Sequence, residues 1–255
     1  MLSSTDVSFT GERIVPGLTP VQVFREHLMR YRFAAEFVRQ QIVLDVASGT
    51  GIGTDFLRKS GAKACIGVEL DPAAVQYAAA SYPTCKFIRG DACQLGLRDA
   101  TIDVIVSFET IEHLPDPERF LEECRRVLRP KGVLICSTPN RAVYSWGGRN
   151  PFHVRELYLE EFRRFIEDRF ENCQLYGQVE VNYPVYASRR VMSRFLQRIR
   201  LKGLIDRVLE RPVGEKAAQT EFDGEAFIPE FEVKPMVSTS FLKPVYLVAV
   251  AQKEA

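Results

Sequence analysis

Three carboxylates and one glycine-rich turn are the residues of this chain best suited to do chemistry together. Asp45 lies in the apolar run Ile42-Val43-Leu44-Asp45-Val46, and the turn Ala47-Ser48-Gly49-Thr50-Gly51-Ile52-Gly53 follows at once. Glycines there omit side chains, so backbone N–H groups can approach a ligand closely. Glu69 ends a second run, Ala64-Cys65-Ile66-Gly67-Val68, where an acid can accept hydrogen bonds from ribose hydroxyls. Asp91 and Ala92 follow a third run through Phe87 and Ile88, and a carboxylate there can accept from an adenine amino group. One acid after one strand is ordinarily a helix cap. Three acids at the ends of three successive predicted strands describe a single crevice. The spacing Gly49-x-Gly51-x-Gly53 departs from the G-x-G-x-x-G of dinucleotide folds.

Two histidines are the candidates for acid–base work. His113 lies in the loop after the run Asp103–Phe108, and His153 lies in an aromatic, glycine-rich stretch, residues 144–156, that holds the only tryptophan. A loop of that length beside a strand end tends to carry function, so it is expected to line a substrate pocket. The competing reading makes His113 a packing residue and gives His153 and Glu156 the task of orienting the next helix. His153 is the first candidate for a general base and His113 the second. No metal site is expected: no ligand cluster is visible in the spacing, and a carboxylate-rich magnesium site cannot be assembled.

These residues need a parallel sheet to hold them. Strands are expected near 42–46, 64–69, 85–89, 102–107, 132–138, 173–181 and 245–251, with helices between the first five. Asp71-Pro72 and Asp116-Pro117 are helix starts, a capping acid followed by proline at the first helical position. A helix is expected from about Pro20 to Gln40 on the spacing of Phe24, Leu28, Tyr31, Ala35 and Val38, and another over roughly 157–168.

On these motifs, over about residues 40–140, the chain resembles the class I S-adenosylmethionine-dependent methyltransferases. The resemblance implies an α/β, doubly wound, Rossmann-like sheet of seven mostly parallel strands, the last antiparallel. It implies that Asp45, Ala47, Gly49 and Gly51 surround the methionine part of S-adenosylmethionine, whose product is S-adenosylhomocysteine. Glu69, with Leu70 beside it, would hold the ribose, Asp91 and Ala92 would meet the adenine, and the Phe108 backbone would meet the methionine amino group. Ala47 departs from the pattern, since many members carry glycine there. The stretch Gly11-Glu12-Arg13-Ile14-Val15-Pro16, with Glu26-His27-Leu28-Met29-Arg30-Tyr31 further on, resembles a bacterial, type 11-like branch associated with saccharide or natural-product pathways. In such enzymes the N-terminal segment often serves as a lid. The expected activity is methyl transfer to an O- or N-nucleophile of a small molecule, a saccharide, nucleotide-sugar or related metabolite. The alternatives are a protein that binds the cofactor without turnover and a nicotinamide-dependent oxidoreductase.

Composition is compatible with this. The 255 residues carry a net charge of +1, so nothing pulls the whole chain toward nucleic acid, and no nucleic-acid partner is expected. No apolar run is long enough for a membrane span, and the first residues lack a signal-peptide pattern, so a cytoplasmic location is expected. The six cysteines form no C-x-x-C pair and are expected as reduced thiols. One domain is expected: an N-terminal lid or helix at 1–41, a core at 42–181 and 244–255, and an insertion at 182–243. Within the insertion, residues 188–211 carry eight Lys/Arg against two acids on an amphipathic pattern. A substrate-side cap is the preferred reading and a membrane-surface contact the alternative.

Overall fold

The computed structural model describes residues 13–144, 150–182, 232–236 and 242–255. Its strands, in chain order, are β1 (Ile42–Val46), β2 (Ala64–Glu69), β3 (Lys86–Arg89), β4 (Ile102–Ser107), β5 (Leu128–Pro139), β6 (Glu171–Asn182), β7 (Lys234–Pro235) and β8 (Leu242–Gln252). They form one sheet in the order β3-β2-β1-β4-β5-β8-β6-β7. Strands β1 to β5 pair in parallel, and β8 runs antiparallel to both β5 and β6. The chain steps outward from β1 through β2 to β3, then returns to lay β4 on the other side of β1. A crevice opens where the order reverses, beyond the carboxyl ends of β1 and β4, and that is where open α/β sheets bind ligands.

Helices α1 (Val21–Ala34), α2 (Ile52–Lys59), α3 (Pro72–Ser81), α4 (Pro117–Val127), α5 (Arg141–Tyr144) and α6 (Leu159–Glu167) accompany the sheet. The two Asp-Pro starts behave as their chemistry dictates. Asp71 accepts from the Ala73 N–H at 2.9 Å, and Asp116 from the Arg119 N–H at 2.9 Å. Alternation along β1 sends Leu44 and Val46 to one face and Val43 to the other. Leu44 packs with Phe120, Leu121 and Phe162, while Val43 packs with Leu28, Phe56 and Leu57. Among the described residues, no helix is long and apolar enough to cross a membrane. All six cysteines are free thiols, four of them buried.

Three expectations need correction. The sheet has eight strands among the described residues, because two residues of the expected insertion, Lys234 and Pro235, pair with Tyr176 and Gly177 along the edge of β6. The first helix stops at Ala34 and tightens into a 3-10 turn, Ala35–Phe37. The chain must turn there into β1, and Gln40 makes the corner at φ +61°. Strand β5 begins at Leu128, four residues early, with an irregular register against β4 between Ile102 and Val104. The basic stretch 188–211 lies outside the described residues, as does Trp146.

A buried polar set fixes α1 against the far side of the sheet. Arg30, fully buried, donates from Nη1 to the Gln178 side chain at 2.6 Å and lies 4.6 Å over the Tyr246 ring. Gln178 donates to the Glu26 carbonyl at 2.9 Å, and the Tyr246 hydroxyl donates to the Glu26 carboxylate at 2.8 Å. Arg30 Nε and Nη2 have no hydrogen-bond partner among the described residues, and the face of the Tyr246 ring offsets part of the cost of burying the charge. The set holds one face of α1 over the crevice.

Candidate cofactor and acceptor site

A cavity of about 530 Å³ occupies the crevice. The β1–α2 turn makes its floor. Three successive odd positions of that turn are left-handed: Ala47 at φ +59°, Gly49 at +54° and Gly51 at +82°. Ala47 holds this conformation despite its methyl group, at a cost of roughly 1–2 kcal/mol. A Cβ on Gly51 would stand 2.7 Å from the Ala78 methyl and the Phe87 ring, so this glycine serves packing as well as the turn. One on Gly53 would stand 1.9 Å from the Tyr31 ring, which lies directly over the start of α2.

Glu69 ties the turn to the next strand. One carboxylate oxygen accepts from the Gly49 N–H at 2.9 Å, and the other from the Leu70 and Asp71 N–H groups at 2.9 and 3.0 Å. Asp91 is exposed at the cavity rim, and its Oδ1 accepts from the Cys93 N–H at 2.8 Å. Of the expected cofactor residues, Ala47, Gly49, Glu69, Leu70, Asp91, Ala92 and Phe108 line the cavity.

Asp45 and Gly51 do not. The Asp45 carboxylate lies beneath the floor, 1% exposed, accepting from Thr54 Oγ1 at 2.6 Å and from the Tyr31 hydroxyl at 3.2 Å. Burial pushes its carboxyl up to about 7, against the two hydrogen bonds that favour the charged form. Its position is that of a clamp between α1 and α2, because the side chain before the turn points into the layer under Tyr31 instead of out of it.

The N-terminal segment closes one side. Arg13 pairs with Asp71, and the Ile14 carbonyl accepts from Thr50 Oγ1 at 2.8 Å. Arg13, Ile14, His27 and Tyr31 all line the cavity. His27 was not among the expected site residues. Burial, and Arg30 nearby, hold its imidazole well below its ordinary range, so it is neutral at pH 7. Its signal was available: His27 and Tyr31 are one helical turn apart and share a face.

The opposite wall is the turn after β4. Glu109 stands at φ +52°, and its carboxylate accepts from Ser137 Oγ at 2.6 Å. A left-handed non-glycine at a cavity wall is the kind of strain that clusters at functional sites. Glu112 is fully buried, with Oε2 accepting from Thr138 Oγ1 at 3.1 Å. Burial first, then the neighbouring Glu109, push the Glu112 carboxyl well above the usual range.

His113 lines the cavity, and His153 lies behind it with ring centroids 4.8 Å apart. They meet because the segment after Asn150 docks on this turn, with the Val154 and Arg155 N–H groups both donating to the Glu112 carbonyl. His153 is buried, bonded to Asn150 Nδ2 at 3.0 Å and to Glu156 Oε1 at 3.1 Å. Neither caps α6; Glu161 does so by accepting from the Tyr158 N–H at 2.9 Å. No metal-ligand cluster was visible in the linear spacing, yet the fold gathers one: a ligand atom from each of Glu112, His113 and His153, all within 4.8 Å of one another.

Comparison with known proteins bears on what this cavity holds. Residues 44–136 match the family model of a methyltransferase domain. The phthiotriol/phenolphthiotriol dimycocerosates methyltransferase 1 of Mycobacterium ulcerans is 32% identical over 192 residues, 68% of this chain and 70% of that protein.

The chain belongs to the class I S-adenosylmethionine-dependent methyltransferases.

A relative in Mycolicibacterium smegmatis, a "probable S-adenosylmethionine-dependent methyltransferase", is 41% identical over 162 residues, 62% of this chain. The match spans 63% of that relative's length. A solved S-adenosylmethionine-dependent methyltransferase from Thermotoga maritima superposes with a TM-score of 0.60 over 91% of this chain and 94% of that one, at 18% identity, and so shares the fold. The donor set of this methyltransferase fits the family's cofactor: an acid, Glu69, at the second strand end, a second acid, Asp91, at the third, and an open glycine turn between them and Phe108.

Proposed function

We propose that this chain transfers the methyl group of S-adenosylmethionine to an oxygen or nitrogen nucleophile of a small molecule held between the cofactor and the β4 turn. The observation that carries the reading is the continuity of one cavity. Its lining runs from Asp91 and Glu69 through the glycine turn to Phe108, Glu109 and His113. When bound, the cofactor supplies a methyl carbon made electrophilic by its sulfonium, and displacement leaves a neutral thioether. The chain's own residues align the partners and keep water out, which accounts for most of the catalysis available to such a transfer.

Glu69 takes the ribose hydroxyls, with Leu70 beside it, and Asp91 and Ala92 take the adenine. Ala47 and Gly49 take the methionine portion, with Gly51 and Asp45 shaping the turn from behind and the Phe108 carbonyl near the amino group. Arg13 and Ile14, already seated on Thr50 and Asp71, act as the fixed edge of a lid. At the acceptor end His113 and His153 are the groups able to receive or relay a hydroxyl proton, His113 from the cavity wall and His153 from behind it.

The acceptor class we favour is a saccharide, nucleotide-linked sugar or related metabolite. It is supported by the resemblance of residues 11–31 to the saccharide and natural-product branch. The reading is tested by incubating the full chain with methyl-labelled cofactor and a panel of sugar nucleotides, glycosides and amines. Label should move to at least one hydroxyl acceptor, and His153→Ala should cut the rate about tenfold or more while cofactor affinity stays within twofold. Undiminished turnover in His153→Ala removes it from the acceptor site.

A further inference from the structure

We propose that Glu112, His113 and His153 form a binding site for one first-row divalent metal ion at the acceptor end of the cavity. Three observations carry it. The ligand atoms of the three side chains already lie within 4.8 Å of one another. Around one ion with bonds of about 2.1 Å they would lie about 3–4 Å apart, so the side chains need to close by only about 1 Å.

The second observation is an uncompensated oxygen. Glu112 is fully buried, and its Oε1 has no hydrogen-bond partner among the described residues. It lies 4.0 Å from His113 Nε2. A buried carboxylate oxygen left this way costs free energy unless something is there to meet it.

The third is the orientation of both rings. His113 Nδ1 is 3.1 Å from the Phe152 carbonyl, which can only accept, so Nδ1 carries a proton and Nε2 is the nitrogen turned toward Glu112. In His153, Nδ1 is 3.1 Å from the Glu156 carboxylate, which makes Nδ1 the donor there too. Asn150 confirms the assignment: its Oδ1 accepts from the Phe152 N–H, leaving its Nδ2 to donate to His153 Nε2 at 3.0 Å. Each histidine therefore has Nδ1 held by an acceptor and Nε2 as its other ring nitrogen, the arrangement by which proteins fix metal-binding imidazoles. Metal binding exchanges the Asn150 bond on His153 for a coordinate bond. Two imidazole nitrogens and one carboxylate oxygen suit Mn²⁺, Fe²⁺, Co²⁺ or Zn²⁺ better than Ca²⁺.

His113 lines the cavity, so an ion here stands at its wall. On the methyltransferase reading, the ion would replace the two histidines as the group that activates the acceptor: it would take the hydroxyl oxygen as a further ligand and lower that hydroxyl's pKa, its proton leaving to solvent. Glu109, three residues earlier on the same wall, is a further carboxyl group lining the cavity beside the site.

The test is direct. The full chain is stripped with a chelator and titrated with MnCl₂ while free Mn²⁺ is followed by electron paramagnetic resonance, with neither cofactor nor acceptor present. One site per chain is expected, weakened at least tenfold in Glu112→Gln and in His113→Ala, and unchanged in Glu122→Gln, an exposed carboxylate on α4 outside the cavity. His113→Asn, which can still donate to the Phe152 carbonyl, replaces the alanine variant if that one fails to fold. No Mn²⁺ binding, or binding equally strong in the Glu112 and His113 variants, overturns the site. Calorimetry with S-adenosylhomocysteine on the same stripped protein keeps the two proposals apart. Cofactor binding without Mn²⁺ binding sinks the metal site alone, and Mn²⁺ binding without cofactor binding sinks the methyltransferase reading alone.

Discussion

The two ends of the cavity are built by different means. At the cofactor end the acids and the glycine turn sit at the carboxyl end of a strand or just beyond it, and their places follow from local sequence: Glu69 at the end of β2, Asp91 after β3, Gly49 after β1. At the acceptor end the residues come from segments far apart in the chain. The β4 turn supplies Glu109, Glu112 and His113, β5 supplies Ser137 and Thr138, and the segment before α6 supplies His153. Strand ends are registered by the sheet, so a motif there is legible one strand at a time. A constellation closed by a docking loop exists only once the loop has docked. The cofactor end should therefore respond to backbone and packing changes, and the acceptor end to loss of single side-chain bonds.

The largest effect should come from Gly51→Ala. The new methyl meets Ala78 and the Phe87 ring at 2.7 Å, and the residue must hold φ +82°. Overpacking and left-handed strain together predict a loss of about 2–5 kcal/mol in urea denaturation. Cofactor affinity should fall with it. A loss below the range would show that the turn gives way where we describe it as fixed.

Next is the pH dependence set by Asp45. Its folded-state carboxyl titrates near 7, above the ordinary value of 3.8. Between those values the folded chain holds a proton that the unfolded chain has lost, so stability falls as pH rises from about 4 to about 7 and is level above that. The contribution is at most about 4 kcal/mol. Asp45→Asn should flatten this part of the pH–stability curve, and an unchanged slope would assign it to other groups.

Glu69→Ala removes a carboxylate that binds three backbone N–H groups and, on our reading, the ribose. S-adenosylhomocysteine affinity should drop by about 1.5–3 kcal/mol, roughly ten- to a hundredfold in Kd. The contrast with His153→Ala sharpens the comparison, since that variant should leave the same Kd within twofold. If both variants weaken cofactor binding alike, the two ends are not separable.

The smallest effect is expected at Ala47. Glycine relieves the φ +59° strain but adds chain entropy to the unfolded state, so Ala47→Gly should stabilise by no more than about 1 kcal/mol. Alanine at this position is thus a tolerated departure that costs little, and the cavity beside it stays open.

These differences explain what could be read from sequence. Strand ends and the two Asp-Pro helix starts were legible because each is a short-range pattern with one physical solution. Asp45 was legible as an acid beside the turn and was expected to face the ligand, but its direction was not legible, since a residue at a strand end can face the ligand or the layer beneath. His27 shares a face with Tyr31, a signal the spacing carried, whereas the Arg30–Gln178 link that aims that helix joins residues from opposite ends of the described core. The Glu112–His113–His153 cluster depends on Val154 and Arg155 reaching the Glu112 carbonyl, a contact that leaves no local trace.

The central claim is that the crevice beyond β1 and β4 binds an S-adenosyl cofactor. Calorimetric titration of the full chain with S-adenosylhomocysteine and, separately, with NAD tests it most directly. Micromolar binding of S-adenosylhomocysteine, weakened roughly ten- to a hundredfold in Glu69→Ala, with none of NAD, is the result predicted here. Binding of NAD alone would contradict the account and recast Glu69 as the ribose ligand of a dinucleotide.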